Sequence, residues 1–412
     1  MSSHWVQMAS RFAWQLGQKQ RHLHENSSRY SCIGPRPRRL SPPVRVVSPP
    51  PNGYCVSVFG TRSSVTHSHT SSMLASHAVR RSAIVAGVMA CWVVANPLLG
   101  QPPSLSVTPD LVAPPAVSRS LGYLVDAAEN NQHLYVISRR VPGVAVLSPM
   151  LRLLRQVGAR GRSIGQYVEA KAVRIAPDNR VLVLDTYLRR IYAYAVRRDS
   201  LDLEYTIPLP GEMNDFVPNG DGSVWAIGPY GGKRLHRIRA DGRVVESYWA
   251  LDTGRSAELQ HLLAKAYVLS PQFDGLLAAS IWFPQTEWIR PPASAPRKVP
   301  LVGFRPVVAR DIPGGYAISS GPAGATYPIR PVRLSDNSVL LQAAVLNRTD
   351  GGDVRTLQWV QSAQDRAWHG PARAPYRLLG LSGDRALVQH HDSDGTIGLV
   401  RLGSPNVGAR HN

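Results

Sequence analysis

From about residue 101 onward the chain is made of short apolar runs rather than long amphipathic ones. Stretches of about six residues rich in Val, Leu, Ile, Tyr and Trp alternate with Gly, Asp, Asn and Pro, the pattern of strands separated by tight turns. Aligned on those turns, six segments share one layout: a short strand, a turn, and a second strand that is apolar almost without interruption. The first three are Tyr123–Ser138 turning at Asn130-Asn131, Ala172–Asp185 at Asp178-Asn179, and Phe216–Gly228 at Asp221-Gly222. The last three are Tyr267–Trp282 turning at Asp274-Gly275, Ile329–Val345 at Asp336-Asn337, and Leu378–His390 at Gly383-Asp384. Gly and Asn tolerate the positive φ that a two-residue hairpin often demands.

Successive turns lie about 48, 43, 53, 62 and 47 residues apart, and a four-stranded propeller blade takes roughly 40–50 residues. A strand sandwiched between two neighbouring blades is buried on both faces, which accounts for the continuous apolarity of the second strand. Third and fourth strands are predicted at Gly143–Leu147 and Leu151–Val157, at Ile191–Val196 and Leu201–Ile207, and at Leu235–Arg239 and Val244–Tyr248. The sixth unit has a third strand, Ile397–Leu402, but too little chain for a fourth. The segment Ser104–Val117 has no partner of its own and is predicted to supply that strand, closing the ring and removing an open edge. The fold class read from the chain is therefore all-β, a six-bladed β-propeller of four-stranded antiparallel blades over residues 101–412. A pair of β-sandwich domains would leave the regular step without a cause. Three stretches depart from the pattern: Pro291–Pro300 reads as an inserted loop, Glu258–Ala266 as a short helix, and Gly351–Pro375 as a long irregular connection.

Charge divides the chain. Of its 47 Lys and Arg residues, 11 lie in the first 100 positions beside a single acid, Glu25, so the net charge of +20 falls equally on this stretch and on the remaining 312 residues. The body is thus only mildly basic for its size. Its arginines are scattered, the mark of a solvated surface rather than a nucleic-acid patch, and no nucleic-acid partner is expected. All three cysteines, Cys32, Cys55 and Cys91, precede the body, which can form no disulfide and hold no cysteine-ligated metal.

Residues 1–72 are rich in Ser, Arg, Pro and His, as in Arg36-Pro37-Arg38-Arg39, and read as a disordered leader or, with Met73 as the true start, a stretch not normally translated. Residues 73–100 have the parts of a signal peptide: Arg80-Arg81, an apolar run from Ser82 to Leu99, and small or polar residues at Gly100-Gln101. Export to the periplasm or the medium follows, with an uncleaved N-terminal anchor as the one expected membrane contact.

The second unit resembles an NHL-type repeat of six-bladed propellers of the NHL-repeat or TolB-like type. The resemblance rests on the glycine-rich Val157–Tyr167, on Val181-Leu182-Val183-Leu184-Asp185 with its Val-x-Asp strand end, and on Arg189-Arg190-Ile191-Tyr192 opening the next strand. The proline usual before the first strand is missing; Ala170-Lys171 stands there. The resemblance spans about 40 residues and implies the fold, not a function.

No H-E-x-x-H, G-x-S-x-G or phosphate-binding glycine loop occurs. His390-His391-Asp392 reads as a strand end, because adjacent histidines on a strand point to opposite faces. Asp392-Ser393-Asp394-Gly395 lacks the late Glu of a calcium loop and reads as a hairpin turn. Asn347-Arg348-Thr349 is a glycosylation sequon in form only. The innermost strands of a propeller begin at the mouth of its central tunnel, where ligands commonly sit. That criterion singles out Glu169, Lys171, Asn214, Asp215, Lys265, Tyr327 and Tyr376 as ligand-binding residues. Glu169, Asn214 and Asp215 resemble the carboxylate-and-asparagine metal site of propeller lactonases and carry oxygen ligands suited to Ca2+. The chain is thus expected to be a binding or scaffold module for a protein, peptide or glycan, with no cofactor. The alternative is a metal-dependent lactonase-like hydrolase or lyase at the tunnel mouth, and a structural component of the envelope is a third expectation.

Overall fold

The computed structural model describes residues 109–401, apart from 131, 198–199, 253, 273–274, 293–294, 320–324, 330, 335–337, 347–353, 362–366, 375, 383–384 and 391–394. The leader, the signal segment, the sequon and His391–Asp394 lie outside the described residues. The chain folds as a six-bladed β-propeller, its four-stranded antiparallel blades set in a ring. From the axis outward, blade one is Leu124–Glu129, Leu134–Ser138, Val144–Leu147 and Leu153–Val157. Blade two is Ala170–Ile175, Val181–Asp185, Arg190–Arg197 and Ser200–Pro208; blade three is Asp215–Pro218, Val224–Tyr230, Lys233–Ile238 and Val244–Ala250. Blade four is Tyr267–Gln272, Gly275–Ser280, Gln285–Ile289 and Arg297–Pro300. Blade five is Ala325–Pro328, Val339–Leu346, Val354–Gln361 and Trp368–Ala374, with Val332–Arg333 also paired to its second strand.

Blade six joins the two ends of the described chain. Its strands Tyr376–Ser382, Arg385–His390 and Ile397–Arg401 are completed by Leu111–Val112, which pairs antiparallel with Ile397–Arg401 in the register Leu111 to Leu399. The closing strand is shorter than its sequence suggests. Pro114 and Pro115 cannot donate to a ladder, and Pro115 instead opens helix α1, Pro115–Leu121.

The core consists of apolar layers between blades, and the second strands show why. Val181 and Val183 point into the layer shared with blade one, while Leu182 and Leu184 point into the layer shared with blade three. Val224 and Ala226 likewise pack toward blade two, with Trp225 and Ile227 toward blade four. One strand thus feeds two cores, and both of its faces must be apolar.

Two sequence expectations need correction. Arg297–Pro300 within the proline-rich stretch is the outer strand of blade four. Gly351–Pro375 contains the third and fourth strands of blade five; the fourth faces solvent on one side, so exposed His369 and Arg373 dilute its apolar signal, while the third carries the buried polar Gln358. An additional hairpin, Val308–Ile312 with Gly315–Ser319, lies between blades four and five. The short helix is present as α2, Ala257–Leu263, capped by Ser256, whose hydroxyl accepts from the Leu259 amide at 3.2 Å. The helix packs on Trp282 and Val307 and is tied to the hairpin through Ser256 and Asp311.

Candidate functional site

The first two strands of the blades carry buried polar groups, and most of those groups hold one blade to the next. The Asp126 carboxylate on blade one accepts from the Val173 amide of blade two at 2.9 Å. Arg174 Nε on blade two donates to the Phe216 carbonyl of blade three at 3.1 Å. Asp215 on blade three accepts from the Leu269 amide of blade four at 2.8 Å. Gln342 on blade five accepts from Leu378 of blade six at 2.7 Å, and Gln389 on blade six accepts from Leu124 of blade one at 3.1 Å. Each junction thereby satisfies a buried backbone group that would otherwise cost about 1–3 kcal/mol.

Arg174 lies at the centre of this set. Its guanidinium pairs with Asp126 on one side and Asp215 on the other, all three side chains buried. Burial disfavours the Arg174 charge, but the two carboxylates outweigh it and hold the group above its ordinary pKa. Arg377 on blade six is also buried and donates to the carbonyls of Leu124 at 2.6 Å and Val125 at 3.0 Å, over the Tyr123 ring at 4.3 Å. Desolvation lowers its pKa.

The sequence-derived residues divide on this frame. Lys171 donates to the Asn214 side-chain oxygen, and Asn214 Nδ2 donates to the Tyr267 carbonyl at 2.5 Å, joining the starts of blades two, three and four. Lys265 pairs with Glu212 at 2.7 Å, and its carbonyl accepts from the Trp282 indole at 3.1 Å. Asp215 belongs to the Arg174 triplet. Glu169 is exposed, and its amide donates to the Asp185 carboxylate at 3.0 Å. Tyr327 packs on the α2 layer, and Tyr376 lies in the layer between blades five and six with His390 edge-on at 3.9 Å. The strand starts of blades two to four therefore come together, while Tyr327 and Tyr376 are directed into cores. The proposed ligand oxygens of Asn214 and Asp215 accept from protein donors, and among the described residues no three His, Cys, Asp or Glu side chains are grouped to hold an ion.

Asp126 and Arg174 were missed by the sequence reading although a signal exists: each is a charge in the interior of a mostly apolar inner strand, and the two are of opposite sign. Asp185, the strand end that carried the NHL resemblance, is fully buried. It accepts from the amides of Val168 at 2.7 Å, Glu169 at 3.0 Å and Leu188 at 2.8 Å, fastening the lead-in of blade two to its own second strand.

Away from the axis, blades two and three repeat a motif at their first turns. Arg180 pairs with Asp178 and Glu204, each at 2.7 Å, and its guanidinium lies 5.3 Å from the Tyr205 ring centre. Arg237 pairs with Asp221 and with Glu246 at 2.5 Å, and Glu246 accepts from the Tyr248 hydroxyl at 2.8 Å. Hydrogen bonds from Ser223 and Arg237 lower the Asp221 pKa to about 2. Two grooves flank this second clamp. One, of about 590 Å³, lies toward Arg180 and Tyr205 of blade two; the other, of about 530 Å³, runs between Trp225 and Tyr248 of blade three and Pro291 and Pro292 of blade four. Glu287 of blade four is buried near Tyr267 and Arg234. Arg234 donates to the Tyr267 hydroxyl at 3.0 Å and lies over the Trp249 ring at 5.1 Å. Burial raises the Glu287 pKa to about 7 against the opposing pull of Arg234 and Lys298.

No protein-family model matches the chain, and no curated protein matches its sequence. Solved structures do match. A candidate exported protein of Bacteroides fragilis superposes with a TM-score of 0.52 at 9% identity, over 73% of this chain and 95% of that one. A streptogramin B lyase gives 0.42 at 10% identity, over 72% and 97%. The extracellular domain of a candidate hybrid two-component system of B. thetaiotaomicron gives 0.41 at 13% identity, over 70% and 35%. At 9% identity the likeness to the exported protein of B. fragilis is one of fold alone.

Proposed function

We propose that this chain is an exported, non-enzymatic propeller of the NHL-repeat or TolB-like type that binds a protein, peptide or glycan on one of its faces. The observation that carries the reading is the engagement of the buried polar groups on the first two strands of the blades. Asp126, Arg174, Asp215, Gln342 and Gln389 are bound to neighbouring blades, whereas a general acid, base or metal ligand must keep a lone pair or proton for substrate. Half-exposed charged and aromatic side chains are concentrated instead on the turns and outer strands of blades two and three, where rigid strands present them. The Asp185 contacts support the NHL-type assignment, because the carboxylate does structural work at the position where the repeat has its Asp. The apolar run after Arg80-Arg81 supports export, and among the described residues no helix is long and apolar enough to cross a membrane.

The test is elemental analysis of the purified full chain after mild dialysis, together with turnover assays on lactones and esters. Well under one metal ion per chain and no turnover are expected. One calcium or zinc per chain, with turnover lost in Glu169→Ala, would replace this reading with the tunnel-mouth hydrolase.

A further inference from the structure

Resting on the reading of the chain as a binding propeller, we infer that the two adjoining grooves on blades two to four form one extended site for a neutral oligosaccharide, with the Asp221–Arg237–Glu246 clamp as the ridge between its two halves. The first argument is recurrence. Blades two and three each place an Asp at the first turn, an Arg bridging it to a Glu on the outer strand, and a Tyr beside the Glu. Arg180 and Tyr205 of the first clamp line one groove and the second clamp lines both, and arginine, carboxylate and tyrosine groups set side by side suit a ligand that itself repeats, as a chain of sugar rings does.

The second argument is the balance of polar and apolar surface. Tyr205 lines one groove, and Trp225, Tyr248 and the paired prolines line the other. A pyranose presents C–H patches that lie against aromatic and proline rings, edged by hydroxyls that need acceptors for their protons and donors for their lone pairs. Carboxylates and guanidinium groups at the groove edges meet that need.

The third argument is charge. Arg180 and Arg237 are each flanked by two carboxylates, so neither clamp offers an uncompensated positive charge to a phosphate, a sulfate or an acidic peptide; Arg239 is the remaining guanidinium lining the first groove. Asp221 stays ionised down to about pH 2, so the clamp keeps its form across the ordinary pH range. Because its members are already bonded to each other, a ligand that adds hydrogen bonds at the free lone pairs of the carboxylates orders little that is not ordered beforehand. Both groove volumes fall within the roughly 300–1,000 Å³ of small-ligand sites.

The test is calorimetric titration of the full chain with three neutral hexasaccharides, built of β-1,4-glucose, α-1,4-glucose and β-1,4-N-acetylglucosamine, and with a proline-rich decapeptide. Binding of at least one sugar is expected, weakened about tenfold or more, roughly 1.4 kcal/mol, in Tyr248→Ala and in Tyr205→Ala. Glu246→Gln, which keeps shape and packing, is expected to weaken it as well, while Glu258→Gln on helix α2 leaves it unchanged. Absence of sugar binding at millimolar concentration overturns the inference, as does binding unchanged in all three groove variants. Decapeptide binding without sugar binding overturns the sugar site but leaves the binding propeller standing. Turnover of a sugar overturns the non-enzymatic reading and leaves the grooves as the place where the sugar sits.

Discussion

Among the described residues an arginine between two carboxylates recurs, and two of these triplets differ sharply in setting. Asp126–Arg174–Asp215 lies at the axis with all three side chains buried, and its members come from three different blades. Asp221–Arg237–Glu246 lies within blade three, with about a third to a half of each side chain exposed. Chemistry is held constant while burial and connectivity change. In the buried triplet each charge has lost its water, so any one member depends on the other two. In the exposed triplet water stands in for a missing partner, and the pair energies shrink to about 0–1 kcal/mol. The difference indicates what each is for: the first holds blades in register, and the second presents a fixed pattern of hydrogen-bonding groups to solvent.

The largest effect is expected from Arg174→Leu, which leaves two buried carboxylates without a counter-charge. A loss of about 3–5 kcal/mol in denaturant unfolding is expected, and a loss below 1 kcal/mol would show the axis to be wetter than described. Adding Asp126→Asn and Asp215→Asn to that variant is expected to recover part of the stability. The amide oxygens still accept from Val173 and Leu269 while the unpaired charge is gone, so a triple variant no better than the single one would break the account.

Glu287 is an intermediate case, buried like the first triplet but only partly compensated. Its folded pKa of about 7 lies above the unfolded value near 4.5, so the native state binds the extra proton between those limits. Stability therefore falls as pH rises from about 4.5 to about 7 and levels off above. Glu287→Gln is expected to stabilise the chain by about 1–3 kcal/mol at pH 8 and far less at pH 4.5, read from thermal unfolding at the two pH values.

At the small end, Arg237→Leu is expected to cost less than about 1 kcal/mol and to act instead on ligand affinity. Asp221, held near pKa 2, contributes its full share above about pH 4 and loses it as pH falls through 2. NMR titration of its carboxyl carbon is expected to show a midpoint well below the ordinary aspartate value. A midpoint at the ordinary value would remove the clamp's claim to preorganisation.

Legibility in the sequence followed burial. Val181–Asp185 and Val224–Ile227 were readable because they are apolar on both faces, and their spacing carried the blade count. Trp368–Ala374 was not readable, because an outer strand shows solvent half its residues and Pro371 interrupts the run. Leu111–Val112 was located to within a few residues by the need for a closing strand, yet its length was set by Pro114 and Pro115. At the mouth, position in the strand found Lys171, Asn214 and Asp215, which do meet. It could not reveal that Asp215 already has a partner, because Arg174 lies on another blade 41 residues away in sequence. Neither groove was legible, since Asp221-Gly222 and Asp178-Asn179 look like any hairpin turn until their arginines are placed.

The closing strand has a mechanical consequence. Leu111 lies opposite Leu399, and the Arg401 amide reaches the Asp110 carboxylate at 3.1 Å, so the chain enters and leaves the pair at the same end. Tension applied between residues 109 and 401 therefore loads the bonds of this strand pair one after another, as in a zipper, rather than all together in shear. A tether fixed upstream and a load on the C-terminal side would open blade six first and leave blades two to four, with both grooves, folded. In optical-tweezer extension this appears as a low-force step releasing blade six, well before the cooperative rip of the remaining ring.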